Sequence, residues 1–141
     1  MGNEYAEGQI KAGSKSGQSA AATGYRQIFY GVNNATTPLD SATIRSLTPG
    51  GKAAAAITIN SIKAQADTKR IIIAVPQSSG LEVTAANITS SLNADVTSSY
   101  VKQEAPVQVE GANGYTAVPY DVFVYQPASI DATEDHKVVI G

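Results

Sequence analysis

The chain has 141 residues, a formal net charge of -2 at pH 7 and no cysteine, which excludes disulfides, thiolate metal sites and a cysteine nucleophile. Its ten basic residues are scattered, so the basic patch of a nucleic-acid-binding protein is missing, and no apolar run approaches the ~18 residues of a membrane-spanning helix. We therefore expect a protein that binds neither nucleic acid nor membrane. Charged residues make up 16% of the chain against a usual ~25%, so we also expect a surface that packs against copies of the chain or against neighbours.

Residues 1–23 are rich in Gly, Ala, Ser, Lys and Gln, and after the first methionine only Tyr5 and Ile10 are sizeable apolar residues. Ordering this stretch costs about 1–2 kcal/mol of backbone entropy per residue, whereas burying the two side chains returns about 1.5–3 kcal/mol each. The sequence therefore predicts a flexible N-terminal arm over residues 1–23, which becomes ordered on a partner or as an added strand, and one domain over residues 24–141.

The first half of the domain is predicted to contain two strands and a short helix. Residues 25–32 (YRQIFYGV) carry bulky side chains on both faces, which indicates a strand that is covered on both sides. Asp40 is a suitable N-cap for a helix over residues 41–47, and Pro49 with the two following glycines is expected to end that helix. Residues 53–60 alternate through two isoleucines and predict a further strand.

Residues 70–75 (RIIIAV) form the most hydrophobic stretch of the chain. The short length, the β-branched residues and the following Pro76 favour a buried strand in the centre of a sheet over a helix. The state of residues 85–93 is left open, because Ile88 and Leu92 fit helical spacing while Thr, Ser and Asn dilute the helix propensity.

Residues 105–128 show strand, turn and strand signals in succession and predict a long β-hairpin. Val107 and Val109 alternate with polar residues, and residues 111–114 (GANG) tolerate the positive φ that a tight turn needs. Pro119 cannot donate a hydrogen bond to a ladder, so it indicates a bulge or an edge position in the second arm of the hairpin.

A last strand is predicted over residues 136–140, which brings the total to seven or eight short strands with at most two brief helices. This pattern is typical of an all-β fold. We predict an antiparallel β-sandwich of the jelly-roll or immunoglobulin-like kind with one or two short helices.

No catalytic or metal-binding pattern stands out. His136 adjoins two carboxylates, but the chain has no Gly-x-Ser-x-Gly elbow, so we interpret His136 as a surface residue rather than as the base of a serine hydrolase. Asp131, Glu134 and Asp135 match no calcium-binding loop and are interpreted as a solvated turn. We predict no catalytic residue, no metal and no cofactor, and a glycan hydrolase with carboxylates brought together by the fold is left open as a third hypothesis.

Seven tyrosines against two phenylalanines and no tryptophan are typical of partly hydrated contacts, because a tyrosine ring has an apolar face and a polar tip. We predict that partner contacts involve Tyr5, Ile10, Tyr115, Tyr120 and Tyr125. The last three fall on alternate faces of one strand, so only some of them can share a patch. A sugar-stacking platform is the alternative interpretation of the tyrosines.

Five stretches carry a family resemblance: residues 25–31 (YRQIFYG), 39–48 (LDSATIRSLT), 70–76 (RIIIAVP), 109–117 (VEGANGYTA) and 122–128 (VFVYQPA). In this order they resemble a family of β-rich domains in structural proteins of tailed bacteriophages, including tail and capsid appendages. The resemblance implies an oligomeric virion component and brings no catalytic motif.

The resemblance also implies the partners. These are copies of the chain itself, as a trimer or higher oligomer, and other virion proteins. Because the domain stands nearly alone behind a short arm, we expect a head or tail accessory protein (decoration, fibre or baseplate-associated), located in the virion and assembled in the bacterial host cytoplasm. The alternative is a carbohydrate- or receptor-binding module of a tail fibre, which would contact a host surface glycan.

Overall fold

The computed structural model describes residues 27–52, 56–110 and 117–141, and these contain ten β-strands and one α-helix. Two 3₁₀ turns, Gln77–Ser79 and Thr97–Ser99, lie between strands. In chain order the elements are β1 (Gln27–Asn33), α1 (Ser41–Arg45), β2 (Thr48–Lys52), β3 (Ile57–Lys63), β4 (Arg70–Pro76), β5 (Val83–Ile88), β6 (Ala94–Asp95), β7 (Tyr100–Lys102), β8 (Val107–Val109), β9 (Val118–Tyr125) and β10 (Asp135–Ile140).

The strands form two antiparallel sheets that pack face to face. The larger one, sheet I, has the order β2–β1–β4–β9–β7, and β8 also pairs with β9. Sheet II has the order β3–β10–β5–β6. Every strand pair within these sheets is antiparallel. The structure thus confirms the predicted all-β sandwich, with one short helix.

Strand β4 is the central strand of sheet I. It pairs with β1 on one side, with Phe29 opposite Ala74, and with β9 on the other, with Phe123 opposite Ile73. All seven of its residues are buried. Burial on both faces explains why the strand reads as a continuous apolar run rather than as an alternating pattern. The prediction of a buried central strand is confirmed.

The two faces of sheet I carry two separate clusters of buried residues. The inter-sheet core lies against sheet II, and the outer core lies on the opposite face, against α1 and Val109 of β8. The inter-sheet core consists of Ile28, Ile59, Ile62, Ala64, Ile71, Ile73, Val75, Ala86, Tyr100, Phe123, Tyr125, Ile130, Val138 and Ile140. The outer core consists of Ile44, Leu47, Ile72, Ala74, Val109, Val118, Tyr120, Val122 and Val124.

Helix α1 forms where the sequence predicts it. The carboxylate of Asp40 accepts a hydrogen bond from the backbone N–H of Thr43 at 2.9 Å, which satisfies one of the free donors of the first turn. This bond is also the main reason that the pKa of Asp40 is lowered. Ile44 and Leu47 are buried in the outer core, so a helix of five residues is stabilised mainly by packing.

The residues after α1 differ from the prediction. Pro49 and the glycines do not simply end the helix, because residues 48–52 form β2 at the edge of sheet I. The pairing of β2 with β1 is irregular between Gln27 and Phe29. Gly51 has a φ of +99°, and a Cβ at Gly50 would lie 3.1 Å from the ring of Tyr30. The two glycines therefore allow an irregular edge strand that lies close to its neighbour.

The remaining elements resolve the open points. Val83–Ile88 is strand β5, whereas Leu92 lies in the following turn, is 99% exposed and has a φ of +54°, so the helical spacing was coincidental. Pro119 pairs in register with Gln108 of β8, and pairing with β4 begins only at Tyr120. Pro119 therefore pairs with β8 alone, at a local edge of the sheet, and the pairing of β8 with β9 has no bulge there.

The predicted arm (residues 1–23) and the predicted turn (residues 111–114) lie outside the described residues, as do residues 25–26 and 53–55. The described part of the first strand, β1, has Ile28 in the inter-sheet core and Phe29 against the outer core. It is covered on both sides, as the bulk on both of its faces predicts.

Replacing Ile44 by alanine should lower the free energy of unfolding by about 2–5 kcal/mol, because the change removes a fully buried side chain and leaves a cavity under α1. Urea unfolding followed by circular dichroism measures this. The matched control is Leu92→Ala, which shortens a 99% exposed side chain and should change the free energy by less than about 0.5 kcal/mol. Equal small effects for both variants would contradict a second core on the outer face of sheet I.

Candidate functional site

The predicted partner residues fall into two groups. Tyr5, Ile10 and Tyr115 lie outside the described residues. Tyr120 and Tyr125 are only 4% and 6% exposed, and they belong to the outer core and the inter-sheet core respectively. The prediction that these two rings form partner contacts is therefore corrected. They point to opposite faces of β9, as predicted, but both faces of sheet I are covered at these positions.

His136 is buried rather than on the surface, which corrects its interpretation as a surface residue. It lies on β10 with none of its surface exposed, because its ring faces the inter-sheet core. The ring of Tyr125 crosses it edge-on at a centroid distance of 4.8 Å. The Nδ1 atom lies 2.9 Å from the hydroxyl of Tyr100, and Nε2 lies 2.8 Å from Oε1 of Glu134.

The positions of the protons in this cluster follow from the hydrogen-bond partners of the imidazole ring. A carboxylate only accepts hydrogen bonds, so Nε2 of His136 donates to Glu134. With this proton on Nε2, Nδ1 of the ring accepts from the hydroxyl of Tyr100. Burial raises the pKa of Tyr100, with smaller contributions from Tyr125 and the Glu134 charge, so this hydroxyl keeps its proton. Burial and Glu134 also raise the pKa of Tyr125.

The cluster joins the two sheets. His136 belongs to sheet II, and Tyr100 and Tyr125 belong to sheet I. Both imidazole nitrogens are engaged, and the partner of the ring is a tyrosine instead of the serine that a hydrolase triad requires. We name it the inter-sheet histidine cluster: His136, Glu134, Tyr100 and Tyr125. Its physical role is to satisfy buried polar groups that would otherwise destabilise the core.

A groove lies on the outer face of sheet I, beyond the part covered by α1. Its volume is about 700 Å³. Val124 of β9 is nearly buried there, and Val101 of β7, its partner in the register, is 56% exposed. Polar side chains and the loop before α1 surround these two valines. The lining consists of Thr36, Thr37, Leu39, Arg70, Ser98, Ser99, Val101, Gln103, Val124, Gln126 and Pro127.

Arg70 is the charged residue of this groove and is only 2% exposed. Its Nε donates to Oδ1 of Asn33 at 2.9 Å, and its terminal nitrogens donate to the backbone oxygens of Pro38 at 2.7 Å and Thr36 at 3.3 Å. All three acceptors are neutral. Burial lowers the pKa of Arg70, and the charge of Asp40 opposes that shift. The groove therefore contains a buried cation that neutral groups hold in place.

The carboxylates of the acidic turn before β10 (Asp131, Glu134 and Asp135) each bond to a different partner and do not converge on one point. Asp131 accepts hydrogen bonds from the backbone and hydroxyl of Thr133, Glu134 bonds to His136, and Asp135 accepts from the hydroxyl of Ser61. Within the residues that the structure describes, no group of three or more His, Cys, Asp or Glu side chains could hold a metal ion. The described part of the chain also contains no helix that is long and apolar enough to cross a membrane.

Comparisons of the chain with protein-family models, with curated proteins and with solved structures found no match. The functional argument therefore depends on the residues themselves. Sequence reasoning missed Arg70 as a site residue, although a cation at the head of the apolar run RIIIAV was a usable signal. It missed His136 because its partner Tyr100 is 36 residues away in the chain.

Replacing Tyr100 by phenylalanine should lower the free energy of unfolding by about 1–3 kcal/mol, because Nδ1 of His136 would lose its buried partner. Tyr30→Phe is the matched control. The Tyr30 hydroxyl has no hydrogen-bond partner among the described residues, so this change should cost less than about 0.5 kcal/mol. Chemical denaturation of both variants measures the difference, and a Tyr100→Phe chain as stable as the native one would contradict the proton assignment.

Stability should fall as the pH rises above about 10, where tyrosines of the unfolded chain ionise. The folded pKa values of Tyr100 and Tyr125 are raised, so the unfolded state loses these protons first and becomes favoured. Urea midpoints between pH 8 and pH 11 measure this fall. Tyr100→Phe should show a shallower fall than the native chain, and an identical slope would contradict the raised pKa of Tyr100.

Proposed function

We propose that this protein is a non-enzymatic structural component of a tailed-bacteriophage virion, an oligomeric head or tail accessory protein that packs on neighbouring subunits. The virion assignment comes from the family resemblance of the five stretches given above. The packing mechanism comes from the sandwich, its low charge content and the predicted arm over residues 1–23. The protein would then be located in the virion, after assembly in the bacterial host cytoplasm.

The observation that carries this proposal is the uneven cover of sheet I. Helix α1 buries one part of the outer face, whereas the groove leaves Val101 exposed beside Val124. A concave surface with apolar residues at its centre and polar residues at its rim has the anatomy of a protein interface. The low share of charged residues also makes the surrounding surface easier to dehydrate against a neighbour.

The sheet edges support packing through faces rather than through edge-to-edge pairing. At the edges of sheet I, β2 contains Pro49 and an irregular register, and β7 has three residues including Lys102. In sheet II, the edge strand β3 is irregular opposite residues 136–138 and ends at Lys63, and β6 has only two residues. Proline, lysine, bulges and shortness are the usual means by which proteins prevent uncontrolled strand addition.

The second candidate function is a carbohydrate- or receptor-binding module of a tail fibre. The polar side chains of the groove favour it, because hydroxyls, amides and a guanidinium are the groups that bind sugars. Ser99, Gln103, Gln126 and Arg70 provide them. The described candidates for a stacking platform, Tyr120 and Tyr125, are buried in the cores and do not line the groove.

Deletion of residues 1–23 should leave the circular dichroism spectrum and the thermal transition unchanged while abolishing incorporation into virus particles. A chain whose first 23 residues are shuffled, with length and charge retained, is the matched control for the arm sequence. Light scattering of the full chain should show a trimer or a higher oligomer. A full chain that stays monomeric at high concentration, binds no virion component and binds a glycan would overturn the assembly proposal in favour of the second candidate.

A further inference from the structure

We infer that the groove on the outer face of sheet I binds the N-terminal arm of a neighbouring copy, with the carboxylate of Glu7 paired to Arg70 and the ring of Tyr5 on Val124 and Val101. This inference rests on the proposed function, because it names the site where the arm binds in the assembly. Its first basis is the chemistry of Arg70.

Arg70 has bonding capacity left. A guanidinium has five N–H donors, and the structure uses three of them on Asn33, Thr36 and Pro38. One donor on each terminal nitrogen is left, and two such donors match the two oxygens of a carboxylate. Arg70 is only 2% exposed and its acceptors are neutral. A carboxylate that binds there would therefore pair with a cation that is already largely desolvated.

The chain itself points to the source of that carboxylate. Of its twelve acidic residues, ten lie in the described part, and none of those ten forms an ion pair with Arg70. Asp40 acts on Arg70 through its charge but makes no ion pair with it, and its Oδ1 accepts from the backbone and hydroxyl of Thr43. The other two acids, Glu4 and Glu7, belong to the arm, on either side of Tyr5.

The spacing of the arm residues fits the groove. In an extended segment Tyr5 and Glu7 project to the same side about 7 Å apart, and Glu4 projects to the opposite side. Arg70 lies on β4, Val124 on the adjacent β9 and Val101 on the next strand β7, and neighbouring strands are about 4.8 Å apart. Val124 is opposite Ile72, two residues from Arg70, so Val124 and Arg70 lie about 8 Å apart on the same face. When Glu7 pairs with Arg70, the ring of Tyr5 therefore lies over Val124, with Val101 on the next strand.

The test uses the full chain with p-benzoylphenylalanine in place of Tyr5. Unlabelled chains that contain this photo-cross-linker are mixed with ¹⁵N-labelled native chains, irradiated and digested for mass spectrometry. The expected result is a cross-link from the unlabelled arm to labelled peptides that contain Val101 or Val124. Cross-links only within unlabelled chains, or to peptides outside the groove, would overturn the inference.

Two pairs of variants sharpen the result without altering the buried Arg70. Val101→Asp should reduce the cross-link yield by about tenfold, because it places a hydrated carboxylate where the apolar ring at position 5 packs. Leu92→Asp changes an exposed residue outside the groove and should leave the yield unchanged. Glu7→Gln should reduce the yield by a similar factor, and Glu4→Gln should not. Equal effects within either pair would contradict the placement.

The failure of this inference and the failure of the proposed function give different results. A chain that forms oligomers and enters particles, but whose arm cross-links elsewhere, disproves the groove as the binding site and leaves the assembly function standing. A chain that stays monomeric and binds no virion component disproves both.

Discussion

Burial of β4 on both faces is the constraint on which the rest of the structure depends. A strand with the sequence RIIIAVP gains roughly 1.5–3 kcal/mol for each large apolar side chain that it buries, but only if both of its faces are covered. Sheet II covers one face, and α1 with the adjacent Leu47 and Val109 of β8 covers part of the other. This need explains why a helix of five residues, capped by Asp40, is retained in an otherwise all-β chain. It also explains the groove, which lies where the cover of the outer face ends.

Two of the buried polar side chains, His136 and Arg70, have different environments. The ring of His136 has a partner on each nitrogen, and one of them is the carboxylate of Glu134. Arg70 has only neutral acceptors and lines an open groove. A fully satisfied cluster makes the junction of the two sheets rigid, whereas a buried cation with free donors is suited to bind an anionic partner. The inter-sheet histidine cluster therefore contributes to stability, and the groove around Arg70 is the surface that we propose for binding.

The sequence predicts those parts of the fold that depend on short-range signals. The apolar run of β4, the cap at Asp40 and the alternation around Val107 each specify a local structure, and the structure confirms the three elements. Strand β2 could not be predicted, because a Pro-Gly-Gly segment becomes a strand only by pairing with β1. The burial of His136 and Tyr125 depends on contacts between sheets, and the groove depends on where α1 stops covering sheet I. Such tertiary features leave no periodic pattern in the sequence.

Together these features describe a sandwich whose two cores are covered and whose groove leaves Val101 exposed, and we propose that a neighbouring subunit covers this groove. The most direct test of this claim is an electron cryo-microscopy map of the chain within an assembled particle, at a resolution that shows side chains. The account predicts that a polypeptide of a neighbouring subunit covers Val101 and Val124 and places a carboxylate at Arg70. A map in which the groove faces solvent on every copy, while neighbours meet only along the edge strands, would contradict it.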